Sequence, residues 1–555
     1  MKKAILLFPL LAQLACTSGR SGATFRYFEY AGADATFAGY MDATRQLRNP
    51  LLSGFYPDPS ICRKDSNYYM ATSSFAYYPG IPIFHSVDLV SWRQIGHALN
   101  RPSQLNLAGK RLSGGLYAPA IAYNKRNDTF YLINTNVDDI GNFIVKTKNP
   151  MENSWSEPIR LPKVGGIDPS LFFDDDGKAY IVHNDTPPGK PQWSGHRAIW
   201  MHEFDVAADT TAGKPAVLVN GGVDTAQRPV WIEAPHLYKI NGYYYLMCAE
   251  GGTSINHSEV IFRADSVWGP YIPWSKNPIL TQRDLPADRP NPITNAGHAD
   301  LVQTPEGDWY AVFLACRPYR DNLFNTGRET FMLPVTWQDG YPVILPKGEA
   351  VPYIANLHRP LRQPAASPYQ GNFAWRDDFN GNALAHEWVF IRTPQAKWWK
   401  TGKAGLTLYP NGQSIRELAN PAFIGRRQQH LSFEASTEVS YRPSKAGDMA
   451  GMACYQRETH HFVFGKTMNA DGKTYIALDR EQNGATRIAE TEIPPESLHK
   501  PVCLKITGSG GLYSFYASCD GLTWTTVAEN VDAAHLSTEV AGGFTGVVLG
   551  MYVEE

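Results

Sequence analysis

Asp58-Pro59-Ser60-Ile61, followed after the turn Asp65-Ser66-Asn67 by Tyr68-Tyr69, is a pattern that this chain writes five times. It returns as Ala118-Pro119-Ala120-Ile121 with Phe130-Tyr131, and as Asp168-Pro169-Ser170-Leu171 with Ala179-Tyr180. The fourth and fifth copies are Ala234-Pro235-His236-Leu237 with Tyr244-Tyr245, and His298-Ala299-Asp300-Leu301 with Trp309-Tyr310. Counted from position 59, successive copies lie 60, 50, 66 and 64 residues apart. Asn127-Asp128, Asp176-Gly177, Asn241-Gly242 and Glu306-Gly307 supply the turns in the later copies. Two apolar stretches around a tight polar turn read as a β-hairpin. Five such units, with no long amphipathic helix between them, predict a five-bladed β-propeller. In that ring the inner strand of each blade faces one axis, so the five equivalent positions converge there.

Beyond the repeats the composition shifts. Pro352, Pro360, Pro364 and Pro368 punctuate a stretch with few apolar runs, which reads as a linker. From Asp377 onward alternating strands such as Leu431-Ser432-Phe433-Glu434-Ala435 and Tyr513-Ser514-Phe515-Tyr516-Ala517 predict a β-sandwich. The expected organisation is a leader over 1–22, a propeller over 23–355, a linker over 356–372 and a concanavalin-like β-sandwich over 373–555. The fold class is therefore all-β.

Composition narrows the partners. The 555 residues carry 51 Lys and Arg against 53 Asp and Glu, a net charge of −2 that offers no field for a phosphate backbone. Nucleic acid is excluded on that ground. Aromatic residues reach 12%, and rings suit the flat apolar faces of sugars. Met1-Lys2-Lys3 and the apolar run Ala4 to Leu14 read as a secretory leader, too short to span a membrane. Leu14-Ala15-Cys16 resembles a bacterial lipobox, so two readings stand: acylation at Cys16, or ordinary cleavage in the small-residue stretch to Ala23. Export follows from either, to the periplasm or to a membrane held through the Cys16 lipid, in a bacterium. The six later cysteines form no close pair of the kind a zinc or redox site needs, and Cys503 with Cys519 is the one candidate disulfide.

Three acidic residues fall at the converging positions. Asp58 and Asp168 occupy the same slot in blades one and three, and Glu233 sits one residue earlier in blade four. An Asp before Pro is commonly only a turn starter. Carboxylates crowded at one axis must be compensated or shift their pKa, and glycoside cleavage needs an acid and a base or nucleophile.

The stretch from Asn49 to Trp92, with Gly54-Phe55-Tyr56-Pro57-Asp58-Pro59-Ser60, resembles glycoside hydrolase family 43. Ser113-Gly114-Gly115-Leu116-Tyr117-Ala118-Pro119, Ile167-Asp168-Pro169-Ser170, Glu233-Ala234-Pro235-His236, Gly297-His298-Ala299-Asp300 and Gly327-Arg328-Glu329-Thr330 continue the likeness in order. Arg426-Arg427-Gln428-Gln429 and Gly543-Phe544-Thr545-Gly546 carry it to the end of the chain, within the β-xylosidase and α-L-arabinofuranosidase branch. The resemblance implies that Asp58 is the general base, Glu233 the general acid and Asp168 the carboxylate that tunes the acid. It implies inversion, for which base and acid stand roughly 6.5–9.5 Å apart. Arg328 would contact the sugar, His298 would hold water or a metal ion at the axis, and Phe75, Tyr117 and Ala118 would wall the pocket. Phe544 would reach the propeller mouth from the sandwich. The xylosidases of the family often carry Trp where Tyr117 stands, which leaves xylose or arabinose open.

Arg317 reads either as a pocket-lining group or as a rim ion pair. Asp174-Asp175-Asp176-Gly177 resembles a calcium loop but fills a hairpin-turn slot and lacks a bidentate Glu at the twelfth position. Trp92 reads as blade packing. No cofactor is required, and calcium is the one ion for which the sequence leaves room. The expected partner is a xylo- or arabino-oligosaccharide cleaved from its end. An endo-arabinanase and a non-catalytic exported carbohydrate-binding protein are the alternatives.

Overall fold

The computed structural model describes residues 22–361 and 367–555; the leader and Cys16 lie outside them. Four antiparallel sheets follow one another as blades one to four. Their inner strands are Ser60–Lys64, Ala120–Asn124, Ile167–Phe173 and Glu233–Ile240. Blade five is built on Thr294–Gln303, Trp309–Cys316 and Glu329–Pro334. Each inner strand neighbours the next, and the fifth returns to the first, so the ring is closed. The predicted hairpin turns fall between the first two strands of every blade. Leu51 N–H and Leu52 N–H both donate to the Thr330 carbonyl, and Thr330 N–H donates back to Leu52. Gln46–Arg48 pairs with Ile354–Asn356 beside that contact. The chain thus seals its ring by adding an early segment to the last blade.

Trp92 is buried among Leu89, Val90 and the aromatic rings of the blade-one and blade-five core, as packing predicts. Burying one such side chain contributes about 1.5–3 kcal/mol. Asp174 accepts from Lys239 Nζ at 2.8 Å and from Tyr244 Oη at 2.7 Å, so this acidic run is a turn tied to the neighbouring blade.

The second unit is a sandwich of two eight-stranded sheets. Phe25, Phe28, Ala435, Leu504 and Phe515 of one face Ile424, Met452, Phe464, Leu549 and Met551 of the other across a common core. One expectation fails here. Ala23–Gly32, assigned from sequence to the propeller, is a central strand of the sandwich, paired with Ser432–Ser440 on one side and with Ala374–Asp377 and Gly405–Leu408 on the other. Its alternating pattern needs an apolar face to cover it, and that face lies some four hundred residues away in sequence. The second sheet also takes a propeller segment: Tyr77–Tyr78 pairs with Val389–Ile391. The stretch read as a linker is likewise engaged where described, since Tyr369 is buried against Tyr56 and Phe84 of blade one. The six described cysteines are all unpaired, and Cys503 lies opposite Ser518 rather than Cys519.

Arg317 corrects a second expectation. It neither lines the pocket nor sits at a rim. Its fully buried guanidinium gives Nε and Nη2 to Glu329 at 2.7 and 2.9 Å, Nη1 to Asp34 at 2.6 Å, and Nη2 to the Gln429 carbonyl at 3.0 Å. Glu329 also accepts from Gly54 N–H at 2.7 Å and Thr326 Oγ1 at 3.1 Å. Every guanidinium nitrogen and carboxylate oxygen of the pair has a partner, and removing one side of such a pair costs about 3–5 kcal/mol.

A fragment comprising residues 23–370 leaves the strands at 23–32 and 77–78 without their sandwich neighbours. We expect it to be insoluble or inactive, and the intact protein to melt in a single calorimetric transition. A soluble, fully active fragment, or two separate transitions in the intact chain, would contradict the interlock.

Candidate active site

The carboxylates owe their direction to the backbone. Asp58, Asp168, Ala234 and His298, equivalent in the repeat, all adopt left-handed conformations with φ of 54, 54, 49 and 55°. In blades three, four and five the ladder slips at this point, between Ile167 and Ser170, Glu233 and His236, and Gly297 and Asp300. A bulge bends the strand and re-aims a side chain. The conformation costs an L-residue roughly 1–2 kcal/mol, least for Asp among these. Blade four places Ala at the left-handed position, and its acid, Glu233, one residue earlier. That is why the acidic slot shifts by one.

Asp58, Asp168, Glu233, His298, Arg328, Phe75, Tyr117, Ala118 and Phe544 all line one cavity of about 380 Å³. Sequence reasoning did not single out Arg111, Ile167, Trp231 and Thr253, which also line it. Nor did it find Ser73, whose hydroxyl donates to Asp58 Oδ2 at 2.5 Å from a fully buried position. Nothing in the run Thr72-Ser73-Ser74 after a strand signals such a role. Trp231 could have been suspected from its place two residues before Glu233.

The three carboxyl groups are buried but differently surrounded. Arg328 Nη1 donates to Asp58 Oδ1 at 2.9 Å, and His298 Nδ1 lies 3.7 Å from the same oxygen. Burial would raise the Asp58 carboxyl, but Arg328, then His298 and Ser73, outweigh it and hold it below the usual aspartate range. Asp168 accepts from Ala234 N–H at 3.2 Å. Burial, then the Asp58 charge, push Asp168 up to about 7. Burial, then Asp168 and Asp58, push Glu233 well above the usual carboxyl range. One group is held ionised and another is held protonated, which is the division of labour that acid–base catalysis needs.

The apolar wall is shared between domains. Phe75, Tyr117 and Phe544 meet with ring centroids 5.7–5.9 Å apart, and the Arg328 guanidinium lies over Phe544 at 5.4 Å and Phe75 at 5.8 Å. Phe544 N–H donates to Ser113 Oγ at 2.9 Å, and Tyr117 Oη donates to the Ser113 carbonyl at 3.0 Å. Gly543 has φ of 82°, and a Cβ on it would sit 2.3 Å from Ser113 Oγ. Only glycine lets this sandwich loop reach the mouth.

Calcium takes six to eight oxygen ligands. His298 faces a single carboxylate already engaged by Arg328, and burial pushes its imidazole down to about 4, against the pull of Asp58. Among the described residues no three His, Cys, Asp or Glu side chains gather to hold an ion. The residues at the axis do not fit a cation site.

Residues 47–342 match the family described as Glycosyl hydrolases family 43, just over half of the chain, and residues 376–555 match the Beta xylosidase C-terminal Concanavalin A-like domain. The chain belongs to glycoside hydrolase family 43. It is 36% identical over 510 residues to a xylosidase/arabinosidase of Butyrivibrio fibrisolvens, covering 91% of this chain and 95% of that protein. It is 35% identical over 523 residues to the non-reducing end alpha-L-arabinofuranosidase BoGH43B of Bacteroides ovatus, covering 92% of each. Among solved structures, a family 43 protein retrieved from capybara gut metagenome superposes with a TM-score of 0.88 at 42% identity, over 96% of this chain and 99% of that one. The five-bladed propeller and concanavalin-like sandwich are thus shared with family 43 glycosidases along nearly the whole described chain.

In this hydrolase, kcat/KM should follow a bell-shaped pH profile. Its acid limb should lie below the ordinary aspartate value, where Asp58 gains a proton. Its alkaline limb should lie near or above 7, where the Asp168–Glu233 pair loses one. Asp168→Asn removes the negative neighbour of Glu233, so the alkaline limb should move to lower pH. A limb that stays in place or moves upward would contradict the assignment of Asp168.

Proposed function

We propose that this family 43 hydrolase removes single β-xylosyl or α-L-arabinofuranosyl residues from the non-reducing ends of hemicellulose oligosaccharides by single displacement. The observation that carries this reading is a pocket that gathers Asp58, paired with Arg328, with the buried Asp168 and Glu233, and that is walled by Phe544 from the sandwich. An endo-acting arabinanase needs a cleft open at both sides, and a wall contributed by a second domain argues against one.

Asp58, ionised, takes a proton from a water that attacks the anomeric carbon from the face opposite the leaving group. As the glycosidic C–O bond breaks, Glu233 gives its proton to the departing oxygen. Asp168 keeps Glu233 protonated until that moment. Arg328 fixes the Asp58 carboxylate and lies over two rings of the wall. Ser73 and Arg328 together lock the orientation of Asp58. The relatives named xylosidase/arabinosidase and alpha-L-arabinofuranosidase support a terminal pentose at this position.

The basic and apolar leader supports export, with acylation at Cys16 or cleavage before Ala23 as the two outcomes. Labelling with radioactive palmitate in a bacterial host decides between them. Cys16→Ser should abolish the label if Cys16 carries the lipid, and a label that persists would exclude it.

Purified protein should hydrolyse the p-nitrophenyl β-xyloside or the α-L-arabinofuranoside. Asp58→Ala should abolish turnover on both. Glu233→Gln should lose about 10²–10⁴-fold on oligosaccharides and much less on an activated phenol, which needs little protonation. Proton NMR of the first-formed sugar, before mutarotation, should show the anomer opposite to that of the substrate. The same anomer would rule out water activation by Asp58.

A further inference from the structure

Besides the wall formed by Phe75, Tyr117 and Phe544, the cavity has a further aromatic lining residue, close in sequence to the acid. Trp231 lines it two residues before Glu233. Its backbone is left-handed with φ of 52°, a conformation that bulky residues seldom hold unless the surroundings impose it. Here they do. Trp231 N–H donates to the Gly195 carbonyl at 2.9 Å, and its neighbours are pinned too: the Val230 carbonyl accepts from Gly251 N–H at 2.8 Å, and the Ile232 carbonyl from Asn184 Nδ2 at 2.6 Å. The indole itself is backed by the Arg197 guanidinium, 4.1 Å from the ring centroid, and Arg197 Nε makes no hydrogen bond among the described residues. Loops of blades three and four thus cooperate to present one half-exposed indole beside the acid.

Position gives this surface its meaning. Glu233 protonates the oxygen that leaves, and that oxygen carries the rest of the substrate. A side chain that lines the same cavity two residues from Glu233, and that is not part of the Phe75–Tyr117–Phe544 ring cluster, is placed to meet the leaving group rather than the terminal sugar. Flat indole faces are suited to the apolar face of a sugar ring, and a cation stacked behind the ring fixes its plane.

We propose that Trp231 is the platform for the leaving-group sugar and that Arg197 is the positioning residue that holds it. The preferred substrates are then at least disaccharides, with a saccharide ring rather than a small or flexible group on the departing side. This rests on the glycosidase reading above and specifies its substrate.

The test compares two substrates of the accepted pentose in the full-length protein: the disaccharide, and the glycosyl fluoride, which has no leaving-group ring. Trp231→Ala should lower the ratio of kcat/KM on the disaccharide to kcat/KM on the fluoride at least 10-fold. Trp231→Phe should recover most of that ratio. Arg197→Met should lower it by a smaller factor of about 2–5, and Arg197→Lys should restore part of it. Equal losses on both substrates, or an unchanged ratio in Trp231→Ala, would overturn the platform while leaving the glycosidase reading intact. A wild-type protein inactive on both substrates would instead remove the glycosidase reading, and the platform with it.

Discussion

Like charges cannot share a dry site unless something compensates them, and the guanidinium of Arg328 is what allows three carboxyl groups to be buried at the propeller axis. Its contact with Asp58 keeps the base ionised, while burial first and the neighbouring carboxylates second raise the proton affinity of Asp168 and Glu233 against the guanidinium's pull. The next residue in the chain, Glu329, belongs to a different network. Buried, it pairs with Arg317, which in turn holds Asp34 and the Gln429 carbonyl. Two consecutive residues of blade five therefore tie the chemistry to the ring and the ring to the sandwich.

That coupling explains why the second domain is part of the site rather than an appendage. The sandwich takes strands from both the start of the chain and blade one, and its loop at 543–546 returns a phenylalanine to the pocket. Gly543 meets Ser113, and a Cβ on Gly546 would lie 2.6 Å from the Thr326 carbonyl, two residues before Arg328. The close approach fixes the wall and the cation relative to each other, so the volume available to a terminal sugar is set by the interface between the domains.

Much of this was legible in the sequence because it repeats. Five proline-led or small-residue inner strands followed by aromatic pairs announce hairpins, and a slot that carries Asp in two copies points to the axis before any coordinate is known. Glu233 falls out of register for a reason only the backbone shows: Ala234 takes the left-handed position. Ala23–Gly32 was assigned to its neighbours in sequence because nothing local reveals a partner four hundred residues away. Arg317 reads as a pocket or rim residue for a related reason, since its buried partners Asp34, Glu329 and Gln429 are brought to it only by the fold. Ser73 carries no repeat or motif and owes its role to the Asp58 carboxylate of its own blade, whereas Trp231 is signalled only by its nearness to Glu233 and is set in place by Gly195 and Arg197 of the preceding blade.

The seam between Leu51–Leu52 and Thr330, with the pairing of Ala23–Gly32 to Ser432–Ser440, also orders events in time. A chain made from its amino end exposes its first sandwich strand long before the partner of that strand exists, and its ring cannot shut until blade five has emerged. The last element of the pocket in sequence order, Phe544, follows Glu233 by about three hundred positions. A chain elongated only as far as the propeller therefore holds the acid–base residues without one wall of their pocket. Contacts so distant along the chain form slowly, because the intervening loop must be ordered before they are gained. The same architecture that makes one cooperative body thus makes the catalyst a late product of its own folding.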